Sequence, residues 1–375
     1  MRLKNVVYYN DAFLPQKGDI AIENGILTQV GGAQEGKGID LSGCTVTPGF
    51  IDIHTHGAMG GDTCDAREES LAGMSRHLAQ HGVTSFCPTT MTLPFEQLAA
   101  SLRAANDYCG HECGAYIQGI NMEGPYISAA KKGAQSGDYI RKPDFEEFQR
   151  LHEICPVRLV DVAPEAHGAR EFAARARSYC TVSAAHTNAD YETAARAFEA
   201  GFTHATHLFN AMTQLSSRAP GVVGAVFEHD TVTAELICDG FHIAPATLRI
   251  AFQILGEDRS VIVSDAMMAS GLADGEFELG GQKVYVRDGK ALLADGTIAA
   301  STTNLYDEFR NVLRFGIPFR QALKSCTINP ARVIHMEKET GSIAPGKRAD
   351  LLVLDRDMEI RMVIVKGEIV VDNKG

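Results

Sequence analysis

Two histidines one residue apart, His54 and His56, follow the apolar run Phe50-Ile51-Asp52-Ile53. Alternate residues of a strand point the same way, so both imidazoles can meet one cation. Further side chains able to bind metal or carry protons come in order behind short apolar stretches: Glu123, His186, His207 and Asp265. Glu123, in Asn121-Met-Glu-Gly-Pro-Tyr126, is expected in a polar loop just beyond a strand. There a carboxylate holds one metal or bridges two, and the Gly-Pro marks a tight turn. His186 and His207 are expected at strand ends, completing a site with Glu123. His204, three residues before His207, should face the other way and be structural. Asp265 ends Val261-Ile-Val-Ser264 and counts both among the metal-binding residues and as a proton acceptor. A divalent ion lowers the pKa of bound water toward ~7; the attacking water must lose a proton, and a leaving amine must gain one. One aspartate can serve both steps, so the chemistry indicated is metal-dependent hydrolysis.

Side chains this far apart in sequence meet only if strand ends are gathered onto one face, as in a (β/α)8 barrel. Eight strand-like runs occur, at 50–54, 84–88, 115–120, 158–163, 180–185, 203–207, 232–238 and 260–264. Helical stretches at 68–81, 94–108, 190–200 and 244–255 lie between them. This alternation predicts an α/β chain with a parallel TIM-like barrel and crossover helices. Residues 271–300 break the pattern, being Gly-rich with hairpin-like strands at Glu276-Phe-Glu-Leu and Lys283-Val-Tyr-Val, and read as an excursion beyond strand eight. Both ends of the chain carry short strands and turns, including the hairpin signal Asn24-Gly25. They predict a small β-sandwich domain from residues 1–47 and 340–375, bracketing a catalytic barrel at 48–339.

With 375 residues, 45% of them hydrophobic, the chain can bury one large core and a small accessory one. A net charge of -12 argues against a nucleic-acid partner, while a few local cations can still hold a small anionic substrate. Nine cysteines without a secreted spacing point to free thiols in a reducing compartment, so a cytoplasmic location is expected. Cys109-Gly-His111-Glu-Cys113 resembles half a zinc knuckle but lacks a second pair, and is expected to be a polar loop. The first residues lack a signal-peptide core, and no stretch approaches the ~20 apolar residues of a membrane span, so no membrane partner is expected.

Pro48-Gly-Phe-Ile-Asp-Ile-His-Thr-His56, with Gly341-Ser-Ile-Ala-Pro-Gly-Lys-Arg-Ala-Asp350, resembles the amidohydrolase superfamily across essentially the whole chain. Asn121-Met-Glu-Gly-Pro, Lys131-Lys-Gly-Ala-Gln135, Ala185-His-Thr-Asn188, His204-Ala-Thr-His-Leu-Phe-Asn-Ala-Met212 and Cys238-Asp-Gly-Phe-His242 narrow the resemblance. They are similar to the branch that deacetylates N-acetylglucosamine 6-phosphate to glucosamine 6-phosphate and acetate. The resemblance implies that Glu123, His186 and His207 carry the main metal, that Asp265 is general base and then general acid, and that His242 polarises the acetyl carbonyl. It implies sugar-phosphate contacts from Ala134, Gln135, Asn210, Ala211, Arg218 and His242, with Thr303 and Asn304 adding others. Arg218 is expected to reach the neighbouring active site of a homodimer.

Retained His54 and His56 allow one or two ions per subunit. Zinc leads, and iron, manganese and cobalt suit the same ligands. The same reaction on N-acetylgalactosamine 6-phosphate, another amidohydrolase reaction on a cyclic amide, and a non-enzymatic scaffold are the competing readings.

Overall fold

Eight short parallel strands form the centre of the molecule: Phe50–Thr55, Val83–Thr90, Ile120–Tyr126, Val157–Val162, Thr181–Ala184, His204–Ala205, Thr233–Leu236 and Ser260–Ile262. Each pairs in parallel with the next. The ring closes where Thr55 bridges Ala266 in parallel and the Asp265 N–H donates to the His54 carbonyl at 2.9 Å. This computed structural model describes residues 1–33 and 35–373; Gln34, Lys374 and Gly375, inside the expected terminal segments, lie outside the described residues.

The strands are buried along nearly their whole length, as parallel strands covered by helices must be. Ile51, Ile53, Leu159, Val261 and Val263 share one core with Val333 and Ile334 at the end of the short helix Ile328–Val333. A larger core lies between the strands and the surrounding helices. Helices Glu68–Gln80, Phe95–Tyr108, Tyr191–Ala200 and Pro245–Arg259 occupy the expected places. The Asp190 side chain caps the third of these by accepting from the Thr193 N–H at 2.9 Å, and Pro245 opens the fourth, where a missing N–H costs nothing. No helix among the described residues is long and apolar enough to cross a membrane.

The third strand departs from expectation. The apolar run at 115–120 is divided: Tyr116–Ile117 pairs beside the second strand, and the barrel strand begins only at Ile120. Glu123 therefore lies within a buried strand, and so do Gly124 and Pro125, not in a polar loop or turn. Polar residues hid this strand because their partners are elsewhere in the barrel; Asn121, for example, donates from Nδ2 to the Ile53 carbonyl at 3.0 Å.

Residues 271–300 do form the expected excursion, an antiparallel sheet of Gly275–Leu279, Gln282–Arg287, Lys290–Leu292 and Ile298–Ala300. The two chain ends combine into a separate strand-rich domain, all eight of whose strands hydrogen-bond into one sheet. Alternation sorts its side chains. Leu351, Val353, Met362 and Ile364 join a small core with Leu3, Ile20 and Val46, whereas Leu352, Leu354, Val363 and Val365 join the main core. Asp350 sits at the junction, accepting from Tyr116 Oη at 2.8 Å, Thr340 Oγ1 at 3.0 Å and the Lys366 N–H at 2.8 Å. Asp350→Ala would leave Tyr116 Oη and Thr340 Oγ1 buried without this acceptor, and should lower unfolding free energy by about 2–4 kcal/mol in urea titration. A change below about 0.5 kcal/mol would contradict this account of the junction.

Candidate active site

Six side chains from five strand ends converge. His54 lies near the end of the first strand and His56 follows it; Glu123 comes from the third; His186, His207 and Asp265 lie just beyond the fifth, sixth and eighth. All are buried. His186 Nε2 and His207 Nε2 lie 3.0 and 3.1 Å from Glu123 Oε1 and 3.2 Å from each other. His56 Nε2 lies 3.2 Å from Glu123 Oε2 and 3.4 Å from Asp265 Oδ1, and His54 Nε2 lies 3.5 Å from the same Asp265 oxygen. The backbone is bent to achieve this: His186, His207 and Asp265 have φ of 42°, 32° and 46°. Left-handed conformations cost non-glycine residues energy and cluster at functional sites, and here each turns a side chain off the end of its strand.

The donor set fits a divalent cation. Two groups of ligand atoms, His54–His56–Glu123 and Glu123–His186–His207, each lie within 4.8 Å and share one carboxylate, a geometry open to one ion or to two bridged ions. Two of the imidazoles are already oriented toward such an ion. His186 donates from Nδ1 to the Lys131 carbonyl at 2.9 Å, and His54 from Nδ1 to Glu235 Oε2 at 2.8 Å, so each turns Nε2 toward the centre. The electrostatics agree. Burial opposes charge on His56, but hydrogen bonds and charge from Asp265 and Glu123 overcome it and raise its pKa to about 10. Burial likewise opposes charge on Glu123, yet bonds from His186, His207 and His56 hold its carboxyl well below the usual range. Protons on His54 and His56 thus supply positive charge that the carboxylates demand, which is the demand a metal ion meets.

Glu235 is the residue that sequence reasoning missed. Fully buried on the seventh strand, it accepts from His54 Nδ1, from the His207 N–H at 3.1 Å and from His204 Nε2 at 3.3 Å. A lone acid inside the apolar run Val232-Thr-Ala-Glu-Leu-Ile-Cys238 was the available signal. His204 is structural, as expected, bound also to Thr233 Oγ1 at 2.6 Å.

A cavity of about 600 Å³ opens over this cluster. His56, Glu123, His186, His207, His242 and Asp265 line it together with Ala134, Asn210 and Ala211, while Lys131 and Lys132 add positive charge and the excursion contributes Leu279 and Ile298. Gln135 touches the cavity, but its side chain is engaged elsewhere: Nε2 donates to Glu123 Oε2 at 2.6 Å and Oε1 accepts from the Thr92 N–H at 2.6 Å. Its buried amide thereby steadies the shared carboxylate. Asn304 caps the helix Leu305–Arg314, accepting from the Asp307 N–H at 3.0 Å, and the Thr303 carbonyl accepts from Ser270 Oγ at 2.9 Å; neither residue lines the cavity. Arg218 is exposed on the loop after the sixth strand and is likewise outside the cavity of this single chain. The nine cysteines are free thiols, and Cys109, His111 and Cys113 form no metal-type cluster among the described residues.

A barrel carrying such a cluster at its strand ends defines a metal-dependent hydrolase scaffold, and comparison with known proteins agrees. The Amidohydrolase family model matches residues 45–370, and the chain belongs to that family. It is 36% identical over 330 residues to an N-acetylglucosamine-6-phosphate deacetylase of Bacillus subtilis (strain 168), covering 86% of this chain and 83% of that protein. It is 32% identical over 327 residues to an N-acetylgalactosamine-6-phosphate deacetylase of Escherichia coli O157:H7, covering 86% of each. The crystal structure of N-acetylglucosamine-6-phosphate deacetylase from Thermotoga maritima superposes with a TM-score of 0.91 at 32% identity, covering 100% of both chains.

Because Glu235 fixes His54 and the His207 backbone at once, Glu235→Gln should weaken divalent-ion affinity roughly 10- to 100-fold, read by competition with a metallochromic chelator. Unchanged affinity would remove Glu235 from the support of the site.

Proposed function

We propose that this chain hydrolyses the acetamide of N-acetylglucosamine 6-phosphate, releasing acetate and glucosamine 6-phosphate. The observation that carries this reading is that His242 and Asp265 open onto the same cavity floor as Glu123, His186 and His207. A divalent ion bound there supplies Lewis acidity and a more acidic water. Glu123, His186 and His207 would hold the main ion, and His54, His56 and Asp265 would be available to a second. Zinc is the first choice of ion, with iron, manganese and cobalt suited to the same ligands.

Asp265 receives the proton of the attacking water and returns it to the departing amine at the sugar C2. Burial opposes its charge, but His54 and His56 hold its pKa below the usual value, so the carboxylate carries no proton of its own when the water attacks. His242 faces the acetyl oxygen and stabilises the negative charge that grows there. Ala134, Asn210 and Ala211 line the sugar side, and Lys131 and Lys132 favour an anionic group inside a chain of net charge -12. Arg218, exposed here, is assigned to the phosphate of the neighbouring subunit in a cytoplasmic homodimer. N-acetylgalactosamine 6-phosphate is the second reading, favoured by the Escherichia coli O157:H7 relative and differing at one hydroxyl.

Acetate release from the two phosphorylated sugars, measured side by side, tests the reading. Turnover of the gluco compound at the higher kcat/KM supports it, the reverse preference moves the protein to the second reading, and no release from either refutes both. In the same assay Arg218→Ala should lower kcat/KM on the phosphorylated sugar about tenfold to a thousandfold while barely altering unphosphorylated N-acetylglucosamine. Equal losses on both would contradict a phosphate role.

A further inference from the structure

One polar contact beside the cavity has no part in metal binding. After the seventh strand, Asp239-Gly240-Phe241-His242 folds into a tight turn, with Gly240 at φ 76°. Asp239 Oδ1 accepts from the Phe241 and His242 N–H groups, both at 2.8 Å, so the carboxylate is fixed by its own backbone. Its other oxygen, Oδ2, lies 2.7 Å from His242 Nδ1. The His242 side chain is 4% exposed and that of Asp239 17% exposed, so solvent screens the pair little.

A neutral imidazole has one N–H and one lone pair. With its single proton on Nδ1 facing Asp239, Nε2 could only accept and would repel a carbonyl oxygen. To donate from Nε2, the ring must hold both protons and be positively charged, and a carboxylate at Nδ1 is the partner that stabilises that form.

We propose that Asp239 is a positioning residue that keeps His242 as an imidazolium, with Nδ1–H on the Asp239 carboxylate and Nε2–H presented to the acetyl oxygen. The inference rests on the deacetylase reading above and adds to it the source of the charge on His242. Neighbouring groups are consistent with it. Burial opposes charge on Asp239, but the bond from His242 holds its carboxyl below the usual range. Glu308, on the helix Leu305–Arg314, is fully buried, and burial pushes its carboxyl well above the usual range. Lys290 of the excursion stacks its ammonium 4.9 Å from the centre of the Phe241 ring, steadying the turn between the two partners. Glu123, Asp265 and Asp295 are the other acids that line the cavity with His242.

The test uses metal-loaded wild type, Asp239→Asn, His242→Gln and the double variant, with metal content measured on each. An Asn amide keeps the shape of the turn but offers no charge, and can face Nδ1 with its NH2 group. Asp239→Asn should lower kcat roughly 100-fold or more with KM within about threefold of wild type and metal content unchanged. The double variant should be no slower than His242→Gln alone, because Asp239 acts through His242. In proton NMR of the wild type, the Nδ1–H of His242 should give a low-field resonance that disappears in both single variants, a signature that a purely structural contact would not link to kcat. Retained kcat in Asp239→Asn, additive losses in the double variant, or no such resonance in the wild type would each overturn the proposal. Should Asp239→Asn fail to fold, the nitrogen-15 shifts of the wild-type His242 ring decide it: both nitrogens in the protonated range support the proposal, and an unprotonated Nε2 overturns it. Failure of wild type to release acetate from either phosphorylated sugar would instead strike the deacetylase reading itself.

Discussion

The Glu123 carboxylate is the constraint around which the rest of the molecule is arranged. One of its oxygens faces His186 and His207, and the other faces His56 and the Gln135 amide. A buried carboxylate is tolerable only with positive charge and hydrogen bonds around it, and those must come from rigid elements to keep their geometry. Parallel strands supply the rigidity, and left-handed backbone at His186, His207 and Asp265 supplies the direction. The strain at those three residues is held by the ring of strands, which closes through the Asp265 N–H and the His54 carbonyl.

Behind the cluster is a layer of acids and amides that decide where the imidazoles and the shared carboxylate point. Glu235 holds His54 and His204, Asp52 accepts from Ser264 Oγ at 2.6 Å between the first and eighth strands, and Gln135 holds Glu123. The antiparallel excursion contributes to the cavity wall and is tied to the loop below by Gln282, whose amide donates to the Ala134 carbonyl. The terminal domain acts at a distance, joined to the barrel through Asp350 and through the alternate side chains of its last strands.

Much of this was legible in the sequence because barrel strands here are apolar runs that end in a chemical residue. His54, His56, His186, His207 and Asp265 all follow that rule, and the excursion and the paired termini were marked by their turn residues. Glu123 broke the rule: its strand carries Asn121 and Glu123 on a buried face, so polarity looked like a loop. Glu235 was passed over for the opposite reason, an acid whose apolar setting made it look like a strand and nothing more. Gln135 and Asn304 show a different limit. Similarity to a family motif places a residue near the site, while the bonds of Gln135 to Glu123 and of Asn304 to the Asp307 N–H are set by the fold around them. Arg218 lies outside the cavity of the single chain, and the phosphate role proposed for it requires a second copy that its own loop sequence does not specify.

The central claim is that the convergence on Glu123 is a divalent-ion centre. Calorimetric titration of chelator-stripped protein with zinc, compared with Glu123→Gln, tests it directly. The account predicts tight binding of one or two ions per chain with release of protons from the imidazoles, and a loss of at least about a hundredfold in affinity when the shared carboxylate becomes an amide. Binding that is weak in the wild type, or equally tight in the variant, would contradict it.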